Sequence, residues 1–77
     1  MTADLVDDAV RDALDLGGEF ALDDGFGPDD VPGWDSMGWI RILGLIEERS
    51  GFELPLDRVA EAASIGDLKL ILRDVAQ

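Results

Sequence analysis

The chain of 77 residues contains neither cysteine nor histidine. Without cysteine there are no disulfides and no thiolate nucleophiles, and without both residue types the usual zinc ligands are missing. A serine nucleophile would also lack the histidine base that normally takes its proton. We therefore expect no metal site and no enzyme activity in the chain itself. A cysteine-free chain is compatible with the reducing cytoplasm, where we expect the protein to reside.

Basic residues are also scarce, with 6 lysines and arginines against 18 aspartates and glutamates, which gives a formal net charge of −12. This charge repels phosphate backbones and anionic lipids, so we expect no binding to nucleic acid or to membranes. The sequence shows no basic leader with an apolar centre and no apolar run long enough to span a bilayer. Two interpretations of the charge stay open: it keeps a small protein in solution, or it steers the protein to basic partners.

Apolar residues make up 47% of the chain, which favours a packed core over disorder. A chain of this length is near the lower limit at which such a core holds a fold without disulfides or metal. We therefore expect a single domain over residues 1–77 that folds by itself as a monomer, with a small stability margin.

The first helix is predicted over residues 4–16, DLVDDAVRDALDL, where apolar residues recur at helical spacing. Gly17 and Gly18 follow it as a stop signal. A long loop rich in Gly, Asp and Pro comes next, and we expect it to be ordered and packed through Phe20 and Phe26. Its cluster DDGFGPDD does not have the ligand spacing of an EF-hand calcium loop.

A second helix is predicted from Ser36, with Asp35 as its N-cap, through SMGWIRILGLIEE to Glu48. Ser50 and Gly51 end it. Because its sequence is apolar around much of the circumference, we expect this helix to be the central one.

Two more helices are predicted in the last third of the chain. FELPLDRVAEAA has room for one or two helical turns after its proline. Ser64 and Asp67 form a capping box, and one apolar face follows it, made of Ile65, Leu68, Ile71, Leu72 and Val75. The predicted fold is therefore all-α, a small four-helix bundle of three main helices and one short third helix, with a long loop between the first two.

Ser36 lies at the N-terminus of the second helix, where free backbone amides and the helix dipole favour a negative group such as a phosphate. The alternative is that Asp35 and Ser36 only cap the helix. Gly38 and Gly44 both lower helix propensity, and we interpret each as permitting close helix packing. Trp34 fits a core position and a surface role equally well.

An acidic bundle with Asp-Ser-Met at the start of its second helix and IEERSGFELP at that helix's end resembles the acyl carrier protein family. The resemblance covers nearly the whole chain. It implies that Ser36 is the attachment site of 4′-phosphopantetheine, within a motif in which Asp35 precedes it and Met37 takes the place of the family's leucine. Leucine and methionine have similar volumes, so the exchange is mild.

The resemblance also implies how a chain without a catalytic base is modified. A separate magnesium-dependent phosphopantetheinyl transferase supplies the base and moves the group from coenzyme A to Ser36. An acyl or aminoacyl group then travels as a thioester on the arm's sulfur, so the protein is a substrate and shuttle. Glu47 and Glu48 would meet basic patches on the transferase and on the enzymes that load or process the cargo.

Three positions depart from the family's pattern. Arg41 stands where an acidic residue is usual on the helix that faces partners, Trp39 is bulkier than is common, and Ser50 replaces an aromatic residue before Gly51. We count Arg41 and Trp39 among the partner-binding residues, and these departures leave the identity of the partners open.

We predict a free-standing acyl carrier protein of fatty acid, polyketide, aminoacyl or other small-acyl biosynthesis. Five arginines against one lysine suggest a GC-rich source, which fits secondary metabolism. The alternative is an unmodified acidic helical module that binds a basic protein. Trp39 follows Ser36 by three residues and is large enough to fill a cleft between helices, which predicts a short or polar cargo held outside the bundle. If Trp39 pointed away instead, the cleft would be free.

Overall fold

The computed structural model describes residues 2–77, with side chains from residue 5 onward. It contains four helices, and the described residues form no strand: α1 (Thr2–Ala13), α2 (Ser36–Ser50), α3 (Leu56–Glu61) and α4 (Ile65–Val75). The predicted all-α bundle, with a short third helix and a long loop before the second, is confirmed. Met1, the first residue of the predicted domain, lies outside the described residues. No helix within residues 2–77 has the length and apolar character needed to cross a bilayer.

Helix α1 takes the central position that the sequence suggested for α2. It packs against both α2 and α4, and its buried stripe fills the core from one side: Val6, Ala9, Val10 and Ala13. Helix α2 buries fully only Gly38, Ile42 and Ile46. The expectation of a central α2 was wrong because its apolar residues are not all core residues, and some of them face solvent.

Helix α1 also ends earlier than predicted, at Ala13 rather than at residue 16. Asp15 adopts the left-handed conformation, with φ 56°. The Leu16 amide donates to the Arg11 carbonyl at 2.9 Å and the Asp15 amide donates to the Asp12 carbonyl at 3.4 Å. This pair of bonds is a Schellman motif, which usually places glycine where Asp15 stands. The prediction used Gly17 and Gly18 as the stop signal, but the helix ends before them, at the turn made by Asp15.

The loop between α1 and α2 is ordered by the core and by α4. Phe20 and Phe26 pack partly buried against the core, as predicted. The Ile65 amide donates to the Phe26 carbonyl at 2.9 Å, and the Gly66 amide donates to the Asp24 carbonyl at 2.7 Å. The loop therefore satisfies amides in the first turn of α4 that a helix leaves without partners.

Helix α4 begins as predicted, with a variation in its cap. The Ser64 hydroxyl accepts from the Asp67 amide at 3.2 Å, whereas the Asp67 carboxylate accepts from the Ala63 amide at 2.8 Å instead of the Ser64 amide. The capping box therefore reaches back one residue further than usual. Its predicted apolar face is buried except at Val75, which is half-buried.

Candidate functional site

The site begins with the cap of α2. Asp35 is extended, with φ −112°, and its carboxylate accepts from the Gly38 amide at 2.8 Å, so the predicted N-cap is confirmed. Helix α2 then starts at Ser36. Within the described part of the chain, the amides of Ser36 and Met37 have no hydrogen-bond partner. Two free donors and the positive end of the helix dipole are therefore available to an anion beside Ser36.

The Ser36 side chain is exposed, and its hydroxyl makes no hydrogen bond to any residue that the structure describes. The nearest acidic neighbour in sequence, Asp35, already accepts from a backbone amide. The side chains of residues 5–77 include no group of three or more acidic residues placed to hold a metal ion. The arrangement presents an accessible hydroxyl to another molecule without the groups that would activate it.

Two tryptophans fix the start of α2 to the core. Trp34, for which the sequence left two interpretations, is a core residue with 4% of its surface exposed. Its ring meets that of Trp39 edge to face, with centroids 5.0 Å apart and an interplanar angle of 67°. Such pairs add to the stability that burial provides. The segment that carries Ser36 is therefore held on both sides of the serine by packed aromatic rings.

The two glycines of α2 differ in their surroundings. A Cβ on Gly38 would lie 2.7 Å from the Gly33 carbonyl oxygen and 2.8 Å from Leu14 Cδ2. Close packing was therefore the right interpretation of Gly38, although Leu14 and Gly33 lie just outside the helices. A Cβ on Gly44 would meet nothing within 4 Å, and Gly44 is exposed. For Gly44 the packing interpretation was wrong, because no part of the described chain approaches it.

Five exposed residues of α2 share one side of the helix, within an arc of about 100° at 100° per residue. We call this set the outer face: Met37, Ile40, Arg41, Gly44 and Glu48. Met37 is 56% exposed and Ile40 is 64% exposed. The sequence analysis did not predict that Ile40 is exposed or that the space around Gly44 is empty. Only the angular position of Ile40, opposite the buried Ile42 and Ile46, could have indicated its exposure.

Glu47 and Glu48 are adjacent in sequence but differ in structural role. The Glu47 carboxylate is half-buried and accepts from the Leu54 amide at 2.9 Å. Glu47 therefore ties the segment after α2 back to the helix. Glu48 is exposed and belongs to the outer face. Of these two glutamates, Glu48 alone accepts no hydrogen bond from a residue with a described side chain or backbone.

Trp39 lies on the side of α2 that faces α3. With Leu43 it lines a cavity of about 260 Å³, closed on the other side by Val59, Ala60 and Ala62. Helix α3 lies close to α4 but not to α2. The cavity occupies the space between α2 and α3. Ser36, Trp39 and Leu43 are spaced i, i+3 and i+7, so the cavity is on the same side of α2 as the serine.

A larger cavity, of about 560 Å³, lies along α4 and includes none of the predicted site residues. Lys69, in its wall, donates to Asp24 at 2.5 Å and to Asp7 at 3.4 Å. Partial burial lowers the pKa of Lys69, but the hydrogen bonds and charges of Asp24 and Asp7 outweigh burial and raise it above 10.5. Lys69 therefore joins α1, the long loop and α4, and we assign it a structural role.

Comparison with known proteins agrees with this geometry. A family model described as phosphopantetheine attachment site matches residues 4–70 of the chain. The match includes α2 and α3 in full and every predicted site residue from Asp35 to Glu48. The search of curated proteins gave no match.

Proposed function

Because the chain belongs to the family of phosphopantetheine attachment sites, we propose that Ser36 is the residue that carries 4′-phosphopantetheine. The family establishes the cofactor and the general role of a carrier domain, which works with a phosphopantetheinyl transferase and biosynthetic enzymes. The assignment to Ser36 is supported by one observation above the others. Ser36 offers an exposed hydroxyl with no hydrogen bond among the described residues, at the N-terminus of a fifteen-residue helix.

The residues around Ser36 fit a phosphate ester. The amides of Ser36 and Met37 are without partners in the described chain and can donate to phosphate oxygens. Modification forms a bond from the serine oxygen to phosphorus and breaks the pyrophosphate bond of coenzyme A, so that adenosine 3′,5′-bisphosphate leaves. The hydroxyl proton must go to a base of the transferase, since the chain has no histidine. The attached group supplies a thiol on which an acyl group is held as a thioester.

We further propose that the carrier is a free-standing cytoplasmic monomer of fatty acid, polyketide or related small-acyl biosynthesis, including secondary metabolism. A net charge of −12 supports the monomer, because two copies repel each other. The same charge, with Glu48 exposed on the outer face, supports docking to basic patches on partner enzymes. Glu47 contributes to that field while it also holds the segment after α2.

The proposed cargo is short or polar. The cavity beside Trp39 measures about 260 Å³, below the roughly 300–1,000 Å³ typical of sites that enclose a small molecule. Trp39 fills the α2 side of that gap and is braced by Trp34. Moving it would cost buried apolar area and aromatic packing, on the order of a few kcal/mol. A long acyl chain would therefore stay mostly outside the bundle.

The attachment is tested by coexpression with a broad-specificity phosphopantetheinyl transferase and measurement of intact mass. We expect the wild type to gain the mass of phosphopantetheine and Ser36→Ala to gain none. The circular dichroism spectrum of Ser36→Ala should match the wild type, because Asp35 still caps α2. Ser50→Ala is the matched control and should be modified normally. A wild type that stays unmodified would favour the other candidate, an acidic module that binds a basic protein.

The cargo class is tested by loading acetyl and octanoyl groups on Ser36 and comparing melting temperature and tryptophan fluorescence with the unloaded form. We expect both loaded forms to melt close to the unloaded protein. A large stabilisation by octanoyl alone, with a spectral shift that disappears in Trp39→Phe, would show that the chain enters beside Trp39 and would contradict the proposal.

A further inference from the structure

Gly44 has no structural reason within the described chain to be a glycine. It lies in the middle of α2, where glycine lowers helix stability relative to alanine. A Cβ at this position would meet nothing within 4 Å, in contrast to Gly38, whose Cβ would overlap its neighbours. The bare backbone at Gly44 leaves a notch in the outer face, between Met37 and Arg41 on one side and Glu48 on the other. A notch that nothing in the described chain fills is open to another molecule.

Arg41 is the second unusual residue of the outer face. It is exposed, and in the part of the chain with described side chains it takes part in no hydrogen bond or ion pair. The other five basic residues each form a hydrogen bond or an ion pair with a carbonyl or carboxylate oxygen: Arg11, Arg49, Arg58, Lys69 and Arg73. In a chain of net charge −12, a cation left without such a partner beside the exposed Ile40 points to a carboxylate supplied by another protein.

Resting on the attachment at Ser36 proposed above, we propose that the phosphopantetheinyl transferase docks on the outer face with a bulky apolar side chain over Gly44 and a carboxylate against Arg41. Ile40, one turn before Gly44, and Met37, two turns before it, are exposed apolar residues of the same face. The occupant is the transferase because Ser36 opens the same helix. Gly44 follows Ser36 by eight residues, about 12 Å along the helix axis. An enzyme that reaches the serine and covers about 800 Å² of this protein extends that far.

This pairing makes Arg41 a residue of partner selection. A transferase that presents only cations to α2 gains from Glu48 but meets repulsion at Arg41. A transferase with one carboxylate among its cations satisfies both charges. The notch adds a steric requirement, since the side chain over Gly44 must approach the helix backbone directly.

The notch is tested with the source organism's phosphopantetheinyl transferase and coenzyme A, by following holo-protein formation with intact mass. We expect Gly44→Ala to melt at or above the wild-type temperature and yet to be modified with a higher KM. For Gly44→Leu we expect a loss of about tenfold in kcat/KM, mainly through KM, as for a central contact residue. Gly18→Ala is the matched control, because a Cβ there also meets nothing within 4 Å, in a loop away from α2. It should be modified at the wild-type rate.

The charge at Arg41 is tested by Arg41→Glu against Arg73→Glu. Both exchanges alter the net charge equally, so long-range steering changes alike, but Arg73 is on α4 and is 62% exposed in a loose ion pair with Asp74. We expect Arg41→Glu to raise KM about tenfold and Arg73→Glu to change it by less than about twofold. Arg41→Lys, which keeps the charge, should recover most of the loss.

The outcomes separate this proposal from the attachment itself. If Gly44→Leu and Arg41→Glu are both modified as efficiently as the wild type, the docking proposal fails while the attachment at Ser36 stands. The docking proposal also fails alone if the broad-specificity transferase modifies the wild type and the source organism's transferase does not. If neither enzyme modifies the wild type, both proposals are overturned.

Discussion

Single glycines in this protein differ in what a methyl group in their place would meet. At Gly27 a Cβ would overlap the carbonyl oxygen of Ala63, at Gly38 it would press on Leu14 and the Gly33 carbonyl, and at Gly44 it would enter open space. The sequence shows the same residue each time, because the cause lies in neighbours that are distant along the chain. That is why sequence reasoning was right about Gly38 and wrong about Gly44.

Gly27→Ala should lower the free energy of unfolding by about 3 kcal/mol, because the new methyl group meets a backbone oxygen that cannot rotate away. Urea denaturation followed by circular dichroism measures the change. Gly18→Ala, with open space around its Cβ, should stay within about 0.5 kcal/mol of the wild type. Equal stability of the two variants would show that the approach of the loop to Ala63 is not tight in solution.

Helix ends show which parts of the fold could be predicted from the sequence. The caps of α2 and α4 were predictable because Asp35 and Ser64 bond to amides only three residues away. The end of α1 was not, because Asp15 turns the chain in a conformation that favours glycine. The exposed side of α2 was also missed, since its apolar residues surround the helix and only contacts with α1 decide which are buried.

Asp35→Ala should lower the free energy of unfolding by about 1 kcal/mol, because the Gly38 amide loses its acceptor at the N-terminus of α2. Asp35→Asn keeps an acceptor oxygen and should lose less. Chemical denaturation of both variants without phosphopantetheine measures the difference. If both variants matched the wild type, Asp35 would contribute to the site without stabilising the helix.

Lys69 ties three elements together, and its titration gives a pH prediction. Its pKa is raised above the ordinary value of 10.5 in the folded chain, so the stability it contributes is complete below pH 10.5 and is lost as the pH rises through the folded pKa. With no tyrosine or cysteine and a single lysine, the chain has no other side chain that titrates just above that pH. Denaturation should therefore show stability falling above about pH 10.5 in the wild type.

Variants of Lys69 provide the control for that pH dependence. Lys69→Arg keeps a charge throughout this range, so its stability should change little between about pH 9.5 and 11.5. Lys69→Met should lose about 1 kcal/mol at neutral pH and then be equally flat. A wild type that is as flat as Lys69→Arg would contradict the proposed role of the bonds to Asp7 and Asp24.

Three of the six basic side chains form ion pairs that join elements of the fold. Arg49 bonds to Asp12 between α2 and α1, Arg58 bonds to Asp74 between α3 and α4, and Lys69 links α1, the loop and α4. Ion pairs at or near the surface contribute about 1 kcal/mol each. The other acidic residues with described side chains form no ion pair. Attraction at a few points therefore opposes repulsion over the rest of the surface.

Salt weakens both the repulsion among the net charges and the attraction within the ion pairs, and the larger of the two sets the direction of its effect on stability. Twelve net charges on a sphere of about 15 Å repel one another by roughly 20 kcal/mol in water without salt, and expansion on unfolding relieves about half of that. The radius of gyration of 11.2 Å corresponds to a sphere of about this radius. The ion pairs between elements oppose it with only about 3 kcal/mol in total. Repulsion therefore dominates, and salt at physiological strength, with a screening length of about 8 Å, removes most of it.

The melting temperature should therefore rise with ionic strength, by at least about 10 °C between roughly 10 mM and 500 mM sodium chloride. Magnesium chloride at equal ionic strength should raise it further, because divalent cations accumulate at a surface of net charge −12. Calorimetry of the wild type and of the double variant Asp8→Lys, Asp29→Lys gives the control. Both positions are exposed, and the variant's net charge of about −8 should give a clearly smaller slope. If the two proteins rose in parallel, the salt effect would come from hydration of apolar groups and not from self-repulsion.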